Sequence, residues 1–181
     1  ALRRQSATEI GIVVPPIRIR DNMKLQPNEY QIRIRGAEIA RGSVMPDYYL
    51  AMNPDPNAEP VTGIKTVEPA FGLPAVWVTD NQKSRAESLG YTVVNTVSVV
   101  TTHLMEVIRR HAHEILGRQE VKNLLDNLKK TYSALVDDVV PGVLSLGAVQ
   151  KVLQNLLREG IPVRDMVTIM EVLGDYGPKI K

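Results

Sequence analysis

Hydrophobic and charged residues alternate in several stretches of the first hundred residues. Isoleucine and arginine alternate over residues 17–20 and again over residues 32–35. A period of two predicts strands with one buried face, and Gly36 can turn the second strand into a hairpin with residues 38–41. Short apolar runs predict further strands at residues 10–14, 75–78 and 91–94.

From residue 97 onward the apolar residues lie three and four positions apart, which predicts amphipathic helices. The stripes cover residues 97–115, 121–128, 149–157 and 163–173. Gly117 and Gly160 are suited to end the first and third helices, and Ser145 is suited to cap the third. Because short helices are marginally stable alone, these stripes must pack against one another, and we expect a small helical bundle.

Two shorter helices are predicted in the strand-rich part, over residues 1–10, ended by Gly11, and over residues 82–89, ended by Gly90. Nine of the 12 prolines lie in residues 1–100, where they suit strand ends and turns rather than helices. The pattern therefore predicts an α+β chain, with a mixed N-terminal region followed by an all-helical part.

The amino-acid composition excludes several functional classes of protein. The chain has 181 residues, 44% of them hydrophobic, and 22 Lys and Arg stand against 20 Asp and Glu. The length suffices for one large domain or two small ones. The near balance of charge argues against nucleic-acid or membrane binding driven by electrostatics, and no apolar run approaches the roughly 18 residues that span a bilayer. The absence of cysteine excludes disulfides, thiolate metal sites and a cysteine nucleophile.

The sequence contains no recognisable catalytic or cofactor motif. His103 and His111 share a helix face, but the i and i+4 spacing of helical zinc ligands is absent. Asp137 and Asp138 are adjacent, so they diverge on a helix, which is typical of a solvated surface. Walker loops, nucleophile elbows and dinucleotide-binding glycine motifs are also absent. We therefore expect a chain that is not an enzyme and that binds no metal and no cofactor.

A basic sheet face is the alternative from a different functional class. It would form if the two Ile/Arg strands pair, and it would carry Arg18, Arg20, Arg33 and Arg35. Such a face predicts steeply salt-dependent nucleic-acid binding. RNA-binding sheets, however, add aromatic residues for base stacking, and only Tyr30 lies nearby. A solvated arginine face with acidic partners such as Glu29 and Glu38 is the favoured interpretation.

Six prolines fall within residues 46–74, which makes this segment unsuitable for a helix or a central strand. A loop stiffened by prolines loses little conformational entropy when it becomes ordered, so it can present side chains to a partner with a small loss of binding free energy. The only phenylalanine of the chain, Phe71, lies here between Pro69 and Pro74. Two interpretations follow from the residues alone: Phe71 belongs to a partner-binding dimple or, as the residues favour, it packs into the core.

Six motifs, found in a fixed order, are together specific enough to indicate a protein family. They are IRIRDN at 17–22, LAMNP at 50–54, EPAFGLP at 68–74, GRQE at 117–120, VQKVLQNLL at 149–157 and RDMVTI at 164–169. Together they resemble the cytoplasmic region of the flagellar type III export-gate family, and the resemblance runs through essentially the whole chain. Virulence secretion systems carry a related export gate, which is the second candidate. The loop motifs are closer to the flagellar branch.

The resemblance implies an interior piece of a longer protein, without that protein's N-terminal membrane spans and C-terminal subdomain. It implies a first α/β subdomain at residues 1–46 and 96–115, a second subdomain inserted at 47–95, and a helical third at 116–181. It also implies a location at the cytoplasmic face of the bacterial inner membrane, with the membrane reached only through the N-terminal region.

In this family the region is a docking platform rather than an enzyme. The resemblance implies that it binds flagellar export chaperones with their cargo, contacts other export-apparatus components and contributes to a homo-oligomeric ring, with no nucleic acid as partner. The chaperone-binding dimple falls on eight positions, with Glu68 expected at its rim. These positions are Met52, Pro54, Glu68, Phe71, Leu73, Val94, Val99 and Thr102.

Overall fold

The computed structural model describes residues 2–179; Ala1, Ile180 and Lys181, at the outer ends of the predicted first and third subdomains, lie outside the described residues. The strands are β1 (Glu29–Ile34), β2 (Ala37–Ser43), β3 (Tyr49–Met52), β4 (Ile64–Val67), β5 (Pro74–Val78) and β6 (Thr92–Asn95). The helices are α1 (Leu2–Glu9), α2 (Asp80–Ser88), α3 (Thr96–Arg110), α4 (Ala112–Ile115), α5 (Arg118–Lys129), α6 (Ser133–Val139), α7 (Leu146–Arg158) and α8 (Met166–Tyr176), followed by a 3₁₀ turn, Gly177–Lys179. The predicted α+β class is confirmed.

The chain divides into two compact units. One is Ile19–Val107, which contains all six strands named above, and the other combines Ala1–Arg18 with Ile108–Lys181. The boundaries of the three subdomains implied by the family resemblance remain a prediction.

Two antiparallel sheets belong to the unit Ile19–Val107. β1 and β2 form the predicted hairpin, turned at Gly36 with a φ of +80°. The second sheet has the strand order β4-β5-β3-β6, which makes β3 a central strand. Pro46 and Pro54 flank β3 without interrupting its hydrogen bonds. The expectation that the proline-rich segment holds no central strand is therefore wrong, because the four residues of β3 fit between its prolines.

Side-chain alternation gives the four-stranded sheet two apolar faces. On one face Leu50 and Trp77 are buried together with Val99 from α3. On the other face Ala51 is buried together with Ala86 from α2. Leu50 and Ala51 are neighbours in β3, and both are completely buried. The sheet is thus held from both sides, which makes it a rigid support for the loops at its ends.

In the other unit, α5, α7 and α8 bury the predicted apolar stripes. The buried positions are Val121, Leu125, Val149, Leu153, Leu157, Met166 and Met170. The predicted cap is confirmed, since the Ser145 side chain accepts a hydrogen bond from the Ala148 backbone N–H at 3.1 Å. Helix α8 begins only at Met166, because the Asp165 side chain accepts the backbone N–H of Thr168 at 3.2 Å and so caps it there.

Residues 10–14 are buried at alternate positions but do not form the predicted strand. The backbone N–H of Val163 donates to the carbonyl of Ile10 at 2.8 Å. Gly11, with a φ of +90°, ends α1 as predicted. A Cβ atom there would lie 2.3 Å from the backbone nitrogen of Arg164, so this close approach requires glycine.

The Ile/Arg repeat at residues 17–20 does not form a strand either. Ile17 is 41% exposed and Ile19 is 95% exposed, so the period of two does not mark a buried face here. Consequently this repeat does not pair with β1, and the shared basic sheet face that would include Arg33 and Arg35 does not form.

The long predicted helix over residues 97–115 is broken at His111, between α3 and α4. Helix α6 was not predicted, because residues 133–139 are too few to show a clear period. Both differences concern short helical pieces, whose ends are decided by packing rather than by their own sequence.

Candidate functional site

A tight turn joins β4 to β5, and one buried carboxylate holds it together. Glu68 is 4% exposed. Its two carboxylate oxygens accept the backbone N–H groups of Ala70 at 2.7 Å and of Phe71 at 2.8 Å. The backbone closes the same turn, since Glu68 N–H donates to the Leu73 carbonyl at 2.7 Å and Gly72 N–H donates to the Glu68 carbonyl at 2.9 Å. Glu68, which is expected at the rim of the dimple, is thus a buried residue that holds the backbone of the turn.

Two large apolar side chains of this turn, and two of the strand before it, are exposed to solvent. Phe71 is 55% exposed and Leu73 is 42% exposed, and Ile64 and Val67 of the neighbouring strand β4 are 45% and 61% exposed. The interpretation of Phe71 as a core residue is therefore wrong; Trp77, six residues later, occupies the core instead. Exposed apolar side chains on a fixed backbone are a feature of many binding surfaces.

A second group of the proposed residues lies in the core below one face of the sheet. Val99 is 2% exposed and packs with Leu50 and Trp77, and Met52 and Val94 pack against this cluster while remaining partly exposed. The structure thus brings Met52, Val94 and Val99 together.

Pro54 and Thr102 are exposed and belong to neither group. Pro54 follows β3 at the start of a turn, in which the Asn53 side chain accepts the backbone N–H of Asp55 at 3.0 Å. Thr102 follows Val99 by three residues on α3, about one helical turn.

Sequence reasoning missed a polar pair in the same unit, made by Tyr30 of β1 and His103 of α3. Tyr30 Oη and His103 Nδ1 are hydrogen-bonded at 2.6 Å, and the two rings meet edge to face with centroids 5.6 Å apart. Burial of the phenol and, second, the nearby carboxylate of Glu68 raise the pKa of Tyr30 to about 12. Gly42 lies opposite Tyr30 in the hairpin, and a Cβ atom at Gly42 would lie 2.3 Å from Tyr30 Oη. Only the coincidence of a tyrosine and a glycine in paired strands could have signalled this arrangement.

The histidine and the glutamates that the sequence offers for metal binding or charge pairing have structural roles. His103 is buried in the pair with Tyr30, and within residues 2–179 no group of three or more His, Asp or Glu side chains is arranged to hold a metal ion. Glu29 and Glu38 both pair with Arg41 rather than with the arginines of the Ile/Arg repeat. In the described part of the chain, no helix is both long enough and apolar enough to span a membrane.

The two sheets, the helical unit and the exposed turn define a recognisable class. The Chlamydia pneumoniae CdsV protein has the same fold, with a TM-score of 0.84 and 26% identity over 99% of this chain and 52% of that chain. CdsV in a complex with CdsO matches with a TM-score of 0.86, at 25% identity, over 99% of this chain and 55% of that one. The nonameric EscV cytosolic domain from the type III secretion system shares the fold, with a TM-score of 0.73 at 20% identity, over 99% of this chain and 53% of that chain. The fold is that of the cytoplasmic domains of type III export gates.

The chain belongs to the FHIPEP family, whose pattern matches residues 1–181. The flagellar biosynthesis protein FlhA of Bacillus subtilis (strain 168) is 54% identical over 176 residues, which cover 97% of this chain and 26% of that protein. FlhA of Escherichia coli (strain K12) is 46% identical over 178 residues, 98% of this chain and 26% of that protein. The chain therefore spans about a quarter of the length of these relatives.

Proposed function

We propose that this chain is a docking platform of a flagellar type III export gate and that it binds export chaperones carrying their cargo. The observation that carries the proposal is the exposure of Phe71 on a turn fixed by the buried carboxylate of Glu68. A large aromatic side chain kept in water contributes little to the fold, whereas its burial under a partner is favourable.

The proposed surface has a fixed part and an exposed part. Met52, Val94 and Val99 belong to the packed cluster at the sheet, while Phe71 and Leu73 project from the turn. Because the turn is already ordered, it loses little conformational entropy when a partner binds. An amphipathic segment with apolar side chains at helical spacing suits such a surface.

Pro54 and Thr102 are exposed, and we place them at the edge of the proposed surface. Glu68 acts in this proposal through the backbone that it holds, so its contribution to specificity is the placement of Phe71 rather than a charge offered to the partner. This assignment differs from the role at the rim that is expected for Glu68 from the sequence.

The wider role follows from the family. We propose a non-enzymatic part in a homo-oligomeric ring at the cytoplasmic face of the inner membrane, in contact with other export-apparatus components. CdsV, which shares the fold, was solved in a complex with CdsO, and this supports contact with such components. The flagellar rather than the virulence branch is supported by identities of 46% and 54% to FlhA, against 26% to CdsV.

Calorimetric titration of the 181-residue chain with purified flagellar export chaperones tests the docking proposal. Each chaperone is titrated alone and with its cargo bound. Saturable binding of at least one chaperone is expected, and it should be weakened by truncating the side chain of Phe71. The absence of binding for every chaperone, with a circular dichroism spectrum typical of the folded chain, would overturn the proposal.

A further inference from the structure

We propose that Ile64, on the edge strand β4, is a further contact residue for the chaperone and that it meets an apolar, uncharged segment of that partner. This inference rests on the proposed function and extends the proposed surface across the sheet to its edge. Ile64 is 45% exposed. Its place in the register of the four-stranded sheet, rather than its exposure, assigns it to the proposed surface.

One row of paired residues crosses all four strands of this sheet. Ile64 of β4 lies opposite Trp77 of β5. Trp77 lies opposite Leu50 of β3, and Leu50 lies opposite Val94 of β6. Residues that are directly opposite in antiparallel strands have their side chains on the same face of a sheet. The side chain of Ile64 therefore lies on the same face as that of Val94, which belongs to the proposed surface.

The following rows place more of the proposed surface on this face. Thr66 lies opposite Ala75, and Ala75 lies opposite Met52. Beyond them, the backbone N–H of Glu68 donates to the carbonyl of Leu73 at 2.7 Å, so the pairing of β4 with β5 continues into the turn. The face that carries Met52 therefore runs from the edge strand to the exposed turn.

Helix α3 covers the middle of the first row and leaves its outer end open. Val99 packs with Leu50 and Trp77, which are 0% and 4% exposed. Ile64 lies beyond Trp77 and keeps 45% of its surface in contact with solvent. A partner that covers the exposed part of this cluster can bury the neighbouring isoleucine as well, and removal of that apolar surface from water is favourable.

The three rows offer no charged group to a partner. Thr66 is polar but uncharged. Glu68 is the only ionisable residue of these rows, and it is buried with its carboxylate oxygens on the backbone N–H groups of the turn. A charged partner side chain would lose its hydration here without gaining a counter-ion, which is costly. The chemistry that fits this face is therefore that of an apolar, uncharged segment.

Val67 of the same strand is the matched comparison. It is 61% exposed, more than Ile64, but it lies three positions later and therefore on the opposite face. Lys65, which shares the face of Val67, lies opposite Val76, and Val76 packs against the buried cluster on the α2 side of the sheet. Exposure alone would make Val67 the better contact, whereas the register assigns the contact to Ile64.

Paired threonine variants separate these two expectations, because threonine keeps the β-branch that suits a strand. In calorimetric titrations with a purified flagellar export chaperone, Ile64→Thr should bind about 5- to 20-fold more weakly than the wild type. Val67→Thr should bind within about 2-fold of the wild type. Ile64→Val keeps an apolar side chain and should retain most of the affinity. Equal affinities of folded Ile64→Thr and wild type, or an equal loss in Val67→Thr, would overturn the proposal.

Lysine variants test the uncharged character of the face. Ile64→Lys should abolish measurable binding, because the partner would bury an ammonium group that has no counter-ion. Val67→Lys, on the face that already carries Lys65, should bind as the wild type does. A loss in Val67→Lys as large as that in Ile64→Lys would mean that the partner does not select one face of β4, and it would overturn the proposal.

A measurement on the wild-type chain covers the case in which a variant does not fold. With ¹³C-labelled isoleucine δ1 methyl groups, the resonance of Ile64, identified by its loss in Ile64→Val, should shift on addition of unlabelled chaperone. An unchanged resonance at saturating chaperone would overturn the proposal. If the wild-type chain binds no chaperone, the docking proposal fails and this extension fails with it. If Phe71→Ala weakens binding and the Ile64 variants do not, docking stands and the extension alone fails.

Discussion

The carboxylate of Glu68 accepts the backbone N–H of Phe71 at 2.8 Å, while the ring of Phe71 is 55% exposed. One residue is thus buried and holds the backbone, and the other, three positions later, is presented to solvent. A charged side chain inside and an aromatic side chain outside reverse the usual distribution of these residue types. The reversal is consistent with a turn built to present Phe71 to a partner.

Phe71→Ala should abolish or strongly reduce chaperone binding, by about 30-fold or more, because a central aromatic anchor commonly contributes 2 kcal/mol or more to binding. The thermal unfolding midpoint should change little, since the ring is largely exposed. Tyr176→Ala removes an aromatic side chain of 56% exposure in the other unit and should bind normally. Equal affinities for wild type and Phe71→Ala by calorimetry would contradict the role of Phe71.

Gly72→Ala should destabilise the turn by about 1 kcal/mol, since Gly72 has a φ of +70° and only backbone strain opposes a Cβ there. Gly36→Ala is a matched control, because Gly36 has a φ of +80° and is equally open. Urea unfolding should show similar losses for both, but only Gly72→Ala should also weaken chaperone binding. Gly72→Asn should be milder, since asparagine tolerates this conformation. A normal affinity for folded Gly72→Ala would show that the turn geometry is irrelevant to docking.

Val99 and Thr102 should respond differently to truncation although both are proposed surface residues. Val99→Ala should lower the free energy of unfolding by about 2 kcal/mol, because Val99 is 2% exposed in the packed cluster. Thr102→Ala, at an exposed helical position, should change it by less than about 0.5 kcal/mol. Any loss of chaperone affinity in Thr102→Ala can then be attributed to the surface. Equal stabilities of the two variants would contradict the burial of Val99.

The stability of the chain should fall between pH 10 and pH 12 partly because of Tyr30. The pKa of Tyr30 is about 12 in the folded chain against 10.0 for an ordinary tyrosine, so the unfolded state loses its proton first as the pH rises. Stability from this group is complete below pH 10 and is lost towards pH 12. Tyr30→Phe should reduce this slope in urea unfolding measured across the range. Parallel stability curves for wild type and Tyr30→Phe would contradict the raised pKa.

Much of the fold could be predicted from local sequence. The three-and-four spacing of apolar residues beyond residue 97 identified α5, α7 and α8, and Ser145 was recognised as a cap because its side chain acts on the backbone three residues away. The errors fall where local sequence is ambiguous. The repeat at residues 17–20 alternates like a strand, but no neighbouring strand pairs with it, and a strand without a partner does not form.

The sequence by itself determined the types of most elements, the Ser145 cap and the family, since these depend on residues that lie near one another or on motifs in a fixed order. Only the tertiary structure decided that Trp77 is buried while Phe71 is exposed, and that Glu68 faces inward. It alone brought Tyr30 Oη within 2.6 Å of His103 Nδ1. The physical reason is that burial and side-chain hydrogen bonds depend on contacts between distant parts of the chain, which no local periodicity records.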